Sequence, residues 1–269
     1  MLTYPHIDPV IFRLGPLAVR WYGLMYIIGF LAVHMLVGYQ TRKYKLTRLA
    51  ERYEDLNFVL IISLILGARL GYILFYNLSY YLGHPLEIFA VWQGGLSFHG
   101  ALLGLLLGAW LFCRKNGLEL LATTDIYVPA IPIGLGLGRI GNFINGELFG
   151  RVSDVPWSMI FPGGGPMPRH PSQLYESFLE GVLLFTVLWT LRVFHHRRGW
   201  PAGSLFAAFL IGYGTLRIFV EQFREPDAQV GFLFNLLTMG QLLSALMVAA
   251  GLFIIFRSRL RGNDAENAR

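Results

Sequence analysis

Of the 269 residues, 55% are hydrophobic and only 14% are charged, against about 25% charged in a soluble domain, and the mean hydropathy is +0.52. This composition excludes an ordinary soluble domain, and the single cysteine, Cys113, excludes an internal disulfide or a zinc site built on several thiolates. The formal charge of +6 accompanies long apolar runs, so it bears on membrane topology before nucleic-acid binding.

A helix crosses about 30 Å of hydrocarbon with about 20 apolar residues. Seven segments meet that length, near 17–39, 56–76, 96–113, 123–142, 173–193, 203–221 and 236–256. They are too long and too little alternating for barrel strands. The expectation is an all-α integral membrane protein with seven transmembrane helices in a single domain over 1–269. The first segment does not read as a cleaved signal: it is long, Asp8, Arg13 and Arg20 accompany its start, and no small-residue cleavage site follows. Cations fill alternate loops: Arg42, Lys43, Lys45, Arg48 and Arg52, then Arg114 and Lys115, then Arg192, Arg197 and Arg198. The tail adds Arg257, Arg259, Arg261 and Arg269, whereas the loop from Tyr80 to Trp92 has no Lys or Arg. The positive-inside rule then puts the N-terminus outside and the C-terminus in the cytoplasm. The Gly- and Pro-rich loop at about 143–172 falls on the outer side, and the polar tail after about 257 is expected to fray.

Three arginines interrupt the apolar runs: Arg69, Arg139 and Arg217. Each costs about 2.5–3.5 kcal/mol at a helix centre, so each calls for a partner or a function. With the topology above, all three lie in the outer half of the membrane. Tyr22, His99 and Glu176, early in helices that start outside, reach the same depth. Tyr213, Arg217, Glu221 and Arg224 share one face of their helix. An Arg217–Glu221 ion pair would explain part of that face by itself. Independent snorkelling, however, would not favour one leaflet, and the inner halves read as nearly free of charge. The pattern points to a cationic cavity open to the outer leaflet, where guanidinium forks match phosphate oxygens.

The stretch GRIGNFINGELFG, 138–150, concentrates this chemistry. Gly136, Gly138 and Gly141 spell G-x-G-x-x-G, but the run follows Pro129 and Pro132 in an apolar segment, not a strand, and Phe161 stands where an acid is needed. The glycines fit close helix contact and the prolines a kink. Arg139, Asn142 and Asn145 fall along one helical line, with Glu147 and Gly150 beyond.

This stretch resembles the signature of the prolipoprotein diacylglyceryl transferases at Gly138, Arg139, Asn142, Phe143, Asn145, Glu147 and Gly150. The resemblance continues through RWYGLMY (20–26), GARLGYILFYN (67–77), GGLSFHG (94–100), RHPSQLYE (169–176) and YGTLRIFVEQFREPD (213–227). Ala101, after His99 and Gly100, is a mild departure. The resemblance implies a bacterial inner-membrane enzyme with its active site towards the periplasm. Such an enzyme moves the sn-1,2-diacylglyceryl group of phosphatidylglycerol onto the lipobox cysteine of a prolipoprotein signal peptide. A thioether forms and glycerol-1-phosphate leaves. It implies essential roles for Arg139 and Arg217, which would stabilise the departing phosphate. Tyr22, Asn142, Glu147, Gly150, Tyr213 and Glu221 would shape the lipid site, with Arg69, Tyr72, His170 and Glu176 as further members. The substrate supplies the nucleophile, so Cys113 should be dispensable. His99 is the candidate acceptor of the thiol proton, kept neutral by desolvation, with a packing histidine as the alternative. No metal, cofactor or nucleic acid is implied; the partners are the lipid, the signal peptide and membrane lipids. The competing reading is an outer-leaflet phospholipid or anion transporter. An intramembrane serine protease is disfavoured because Ser97 and Ser204 lack a Gly-x-Ser-x-Gly setting.

Overall fold

The structure, a computed structural model, describes residues 2–15, 17–90, 94–225, 232–233 and 237–267. Trp92, Arg269 and the end of the 213–227 motif lie outside these residues. In chain order the elements are β1 (Val10–Leu14), β2 (Leu17–Arg20), α1 (Trp21–Lys43), α2 (Thr47–Ala50), α3 (Tyr53–Tyr76), α4 (Leu78–Gly83) and α5 (Phe98–Lys115). There follow α6 (Leu120–Tyr127), α7 (Ile131–Asn145), α8 (Ser172–Glu176), a π-helical stretch Ser177–Leu183, α9 (Leu184–Arg198) and α10 (Ser204–Val220). Two short strands, β3 (Phe232–Leu233) and β4 (Leu237–Thr238), precede α11 (Met239–Asn267).

Helix therefore dominates, and each of the seven apolar segments falls mainly on helix, five on one element and two on adjoining helical stretches. Length and apolarity qualify four stretches as membrane spans: Trp21–Lys43, Tyr53–Tyr76, Ser172–Arg198 and Met239–Ser258. A fifth is the pair α6 and α7, bent by 50°. The bend sits where the sequence places Pro129 and Pro132, the latter in the first turn of α7. The other two are marginal: α5 ends in Arg114 and Lys115, and α10 has 17 residues. One boundary moves by four residues. Leu17–Arg20, read as the start of the first helix, instead pairs antiparallel with Val10–Leu14 after Gly15 turns the chain at φ 59°. At the other end the backbone of α11 stays helical into the polar tail, through Asn267.

The chain divides into two compact units, Met1–Val37 with Thr124–Arg269, and Gly38–Thr123. In the second, α3 and α5 meet along glycines. A Cβ on Gly67, Gly100 or Gly104 would run into backbone atoms of the facing helix, and one on Gly108 into the Ser63 side chain. Only glycine allows that approach, and close backbone packing is what holds helices together where the solvent is itself apolar.

In the first unit, Asp125 on α6 is fully buried, a charge that the sequence reading of the apolar segments did not count. The carboxylate has a structural task. Gly203, the residue before α10, has a φ of 90° and no side chain to cap the helix. Asp125 caps it from a distance: the amides of Gly203 and Phe206 donate to its two oxygens at 2.7 and 2.8 Å. Nε2 of His195 lies 3.2 Å from the same carboxylate. Removing a buried acceptor strands its donors at about 1–3 kcal/mol each. An Asp125→Ala variant should therefore lose about 3 kcal/mol or more of stability, and Asp125→Asn, which keeps one oxygen, less. Unfolding in detergent micelles measures both.

Candidate active site

Within the first unit, α7, the α8–π stretch and α10 each bring charge to one buried point. Arg139 extends from α7, and its Nε contacts Oε2 of Glu176. Nη1 of Arg217, on α10, lies 3.2 Å from Oε1 of the same glutamate, and Arg224, just beyond α10, lies 3.4 Å from that oxygen. Nη2 of Arg217 pairs with Glu221 at 2.9 Å, and the Thr238 hydroxyl donates to Glu221 at 2.9 Å. Glu180, one turn beyond Glu176, approaches Arg217 at 3.7 Å and Arg139 at 4.0 Å. Glu176 and Glu180 are inaccessible, and Arg217 nearly so. Half-buried Tyr213 feels the charges of Glu180, Arg217, Arg139 and Glu176.

Glycine makes this convergence possible. Gly136 and Gly181 face each other at a distance no side chain could share, which draws α7 onto the π-helical stretch. Two arginines from separate helices thus meet, as the sequence anticipates. The Arg217–Glu221 pair weighed from the sequence is present, but two features were not read from it: Glu176 matches both arginines, and Glu180 belongs to the cluster. Its spacing of four from Glu176 is the signal that could have found it.

The C-terminal end of α7 forms a second polar group. Glu147 Oε1 accepts from the amides of Asn142 at 2.9 Å and Asn145 at 3.0 Å. Gly146, at φ 67°, ends the helix in the left-handed conformation that lets Glu147 turn back. The Tyr22 hydroxyl interacts with Asn142 and lies 3.0 Å from that of Tyr26. Gln173 donates to the Glu147 carbonyl at 2.7 Å, tying this corner to α8 just ahead of Glu176.

The loop beyond is folded throughout. Gly150 donates its amide to the His170 carbonyl at 2.8 Å, and Arg151 donates to that of Phe223 at 2.9 Å. A Cβ on Gly150 would collide with both neighbouring segments, so its role is close backbone approach. Arg169 donates to the carbonyls of Gly164 and Gly150 and pairs with Glu225 at 3.0 Å. Tyr4, Phe143, Met159 and Phe161 form the core beneath.

His170, partly buried, has Nδ1 3.0 Å from the Tyr175 hydroxyl and packs edge-on to Phe223. Desolvation pushes its pKa below the usual 6.5. The unfolded chain then binds more protons, so stability from this residue is present above pH 6.5 and is lost as pH falls through the lowered folded value. Between pH 7.5 and 5 the wild type should lose more melting temperature than a His170→Gln variant. Equal losses would contradict the assignment.

The remaining candidates belong to the other unit. Arg69 is buried and committed: its guanidinium donates to the carbonyls of Glu87 and Ile88 at 2.5 and 2.8 Å, and of Gly94 and Gly95 at 2.8 and 3.3 Å. With the Tyr81 ring 5.0 Å away, it clamps that loop and has little left to offer a phosphate. Tyr72 accepts from Asn77 at 2.8 Å and backs Gly95. His99 is exposed on the first turn of α5, beside the Phe98 ring, so the burial expected of it from the sequence is not found. Among the described residues, no three His, Cys, Asp or Glu side chains gather as a metal site would require.

Comparison with known proteins agrees with the motif. The family described as prolipoprotein diacylglyceryl transferase matches residues 9–257. The phosphatidylglycerol–prolipoprotein diacylglyceryl transferase of Desulfotalea psychrophila is 55% identical over 260 residues, covering 94% of each chain. That of Geobacter sulfurreducens is 56% identical over 251 residues, covering 93% of this chain and 95% of its own. That of Pseudomonas aeruginosa is 51% identical over 256 residues, covering 95% of each. With nearly its whole length matched, the chain belongs to the prolipoprotein diacylglyceryl transferase family.

Proposed function

We propose that the protein transfers the sn-1,2-diacylglyceryl group of phosphatidylglycerol to the lipobox cysteine thiol of prolipoproteins. The observation that carries this reading is the convergence of Arg139 and Arg217, from different helices, in one buried polar cluster. The thiolate sulfur attacks the glyceryl carbon that bears the phosphate, a C–S bond forms, and the C–O bond breaks. Glycerol-1-phosphate leaves with the electron pair. Charge grows on the departing phosphate, and fixed guanidinium groups in a dry site stabilise it without having to reorganise. Asn142, Glu147, Tyr22, Tyr213 and Glu221 shape the lipid site. Gly150, His170 and Glu176 hold its framework, and Arg69 and Tyr72 act at one remove by ordering their loop. His99, an imidazole on the first turn of α5, is the candidate acceptor of the thiol proton. In the bacterial inner membrane the chain crosses seven times, N-terminus periplasmic and C-terminus cytoplasmic, and works at the periplasmic side.

The test is transfer of label from phosphatidylglycerol to a lipobox peptide, run beside a Cys→Ser peptide. Label is expected on the cysteine peptide alone. Equal labelling of the serine peptide would contradict thiol transfer, and none on either would contradict the function.

A further inference from the structure

We propose that Glu180 is the charge-balancing group of the site, taking up one proton when the lipid phosphate settles against Arg139 and Arg217. The inference rests on the reading that this site binds phosphatidylglycerol. Its basis is a charge count in a place where the carboxylates are buried. Arg139, Arg217 and Arg224 contribute three positive charges, and Glu176, Glu180 and Glu221 three negative ones. The cluster is neutral before any ligand arrives. A phosphodiester brings one further negative charge into a buried cluster, where an uncompensated charge is costly. One proton on one carboxylate restores neutrality, and no other bond changes in that step.

The contacts single out which carboxylate. Glu176 touches Arg139, Arg217 and Arg224, and Glu221 holds Arg217 at 2.9 Å while accepting from Thr238. Glu180 has only the longer approaches of 3.7 and 4.0 Å, beyond hydrogen-bond reach. Both its oxygens are buried without a hydrogen-bond donor among the described residues. A carboxylate held by charge alone loses most of its support once a phosphate claims those guanidinium groups. The groups facing it are Arg139 from α7, Glu176 from α8, and Tyr213 and Arg217 from α10, with Arg224 beyond. Only its own protonation lets it stay in place beside the phosphate.

Calorimetry of short-chain phosphatidylglycerol binding to the intact protein in detergent, in buffers of different ionisation enthalpy at pH 7.5, reads the proton directly. About one proton taken up per lipid is expected, and none with phosphate-free diacylglycerol. A Glu180→Gln variant, whose cluster holds one negative charge fewer before the lipid arrives, should bind it with uptake near zero. In the transfer assay the wild-type KM for the lipid should rise up to tenfold per pH unit on the alkaline side, and kcat should not follow it. Glu180→Gln should flatten that slope. If that variant does not fold, Glu180→Asp, which keeps a titrating carboxyl at the position, should still take up the proton but move the alkaline limb of KM along the pH axis; a limb that stays put overturns the proposal. Binding without proton uptake, or uptake surviving in Glu180→Gln, overturns the proposal. A wild type that transfers label without proton uptake contradicts this inference alone, whereas one that transfers no label contradicts the functional reading beneath it.

Discussion

An Arg139→Ala variant should transfer diacylglyceryl about 100- to 1000-fold more slowly than wild type, the loss expected when one fixed donor to a developing negative charge is removed. Arg217→Ala should be at least as damaging, because Arg217 reaches Glu176, Glu180 and Glu221 together. Each substitution also leaves the cluster one positive charge short and costs stability, but less than stranding a carboxylate outright, because Glu176 keeps its remaining arginine partners. The two losses can be separated. In Arg139→Gln with Glu176→Gln the charges leave as a pair, so the melting temperature should recover relative to Arg139→Ala while transfer stays low. Arg139→Lys keeps the charge but not the planar fork, and should recover little activity. Near-normal transfer by Arg139→Ala would remove phosphate stabilisation from the mechanism.

The second large effect lies far from any charge. Gly104→Leu should disrupt the packing of α3 against α5, because even a Cβ at this position would overlap backbone atoms of Ser63 and Gly67. Overpacking costs about 1–3 kcal/mol when side chains can yield, and backbone facing backbone yields less. Gly104→Ala should already be measurably destabilised. Gly23→Ala in α1 is the informative contrast, since nothing lies within 4 Å of the added carbon. It should be neutral or gain up to about 1 kcal/mol from helix propensity. Equal melting temperatures for Gly104→Leu and wild type would mean that the two helices do not depend on this seam.

Much of the molecule was legible in the residues. Runs of about 20 apolar residues can satisfy their backbone only as helices, so the seven helical segments follow from composition and length. Arginines within such runs mark a functional region for the same energetic reason. Helix periodicity placed Tyr213 and Arg217 on one face, while Glu221 and Arg224, read as continuing it, lie beyond the end of α10; Pro129 and Pro132 marked the bend between α6 and α7. The 138–150 stretch carried the family.

What each arginine does was decided elsewhere, because a chain does not state which side chains meet across helices. Arg69 reads like Arg139 and Arg217, yet its donors end on loop carbonyls, whereas theirs end on carboxylates. Asp125 looks like a stray charge until α10 is seen to start at a glycine that cannot cap it. Glu180 reads as one acid in an apolar run until α7 and α10 bring their guanidinium groups to it. Local composition determined the helices and the cost of every buried charge. Only the packed tertiary structure decided which partner offsets each cost, since that depends on contacts between residues far apart in the chain.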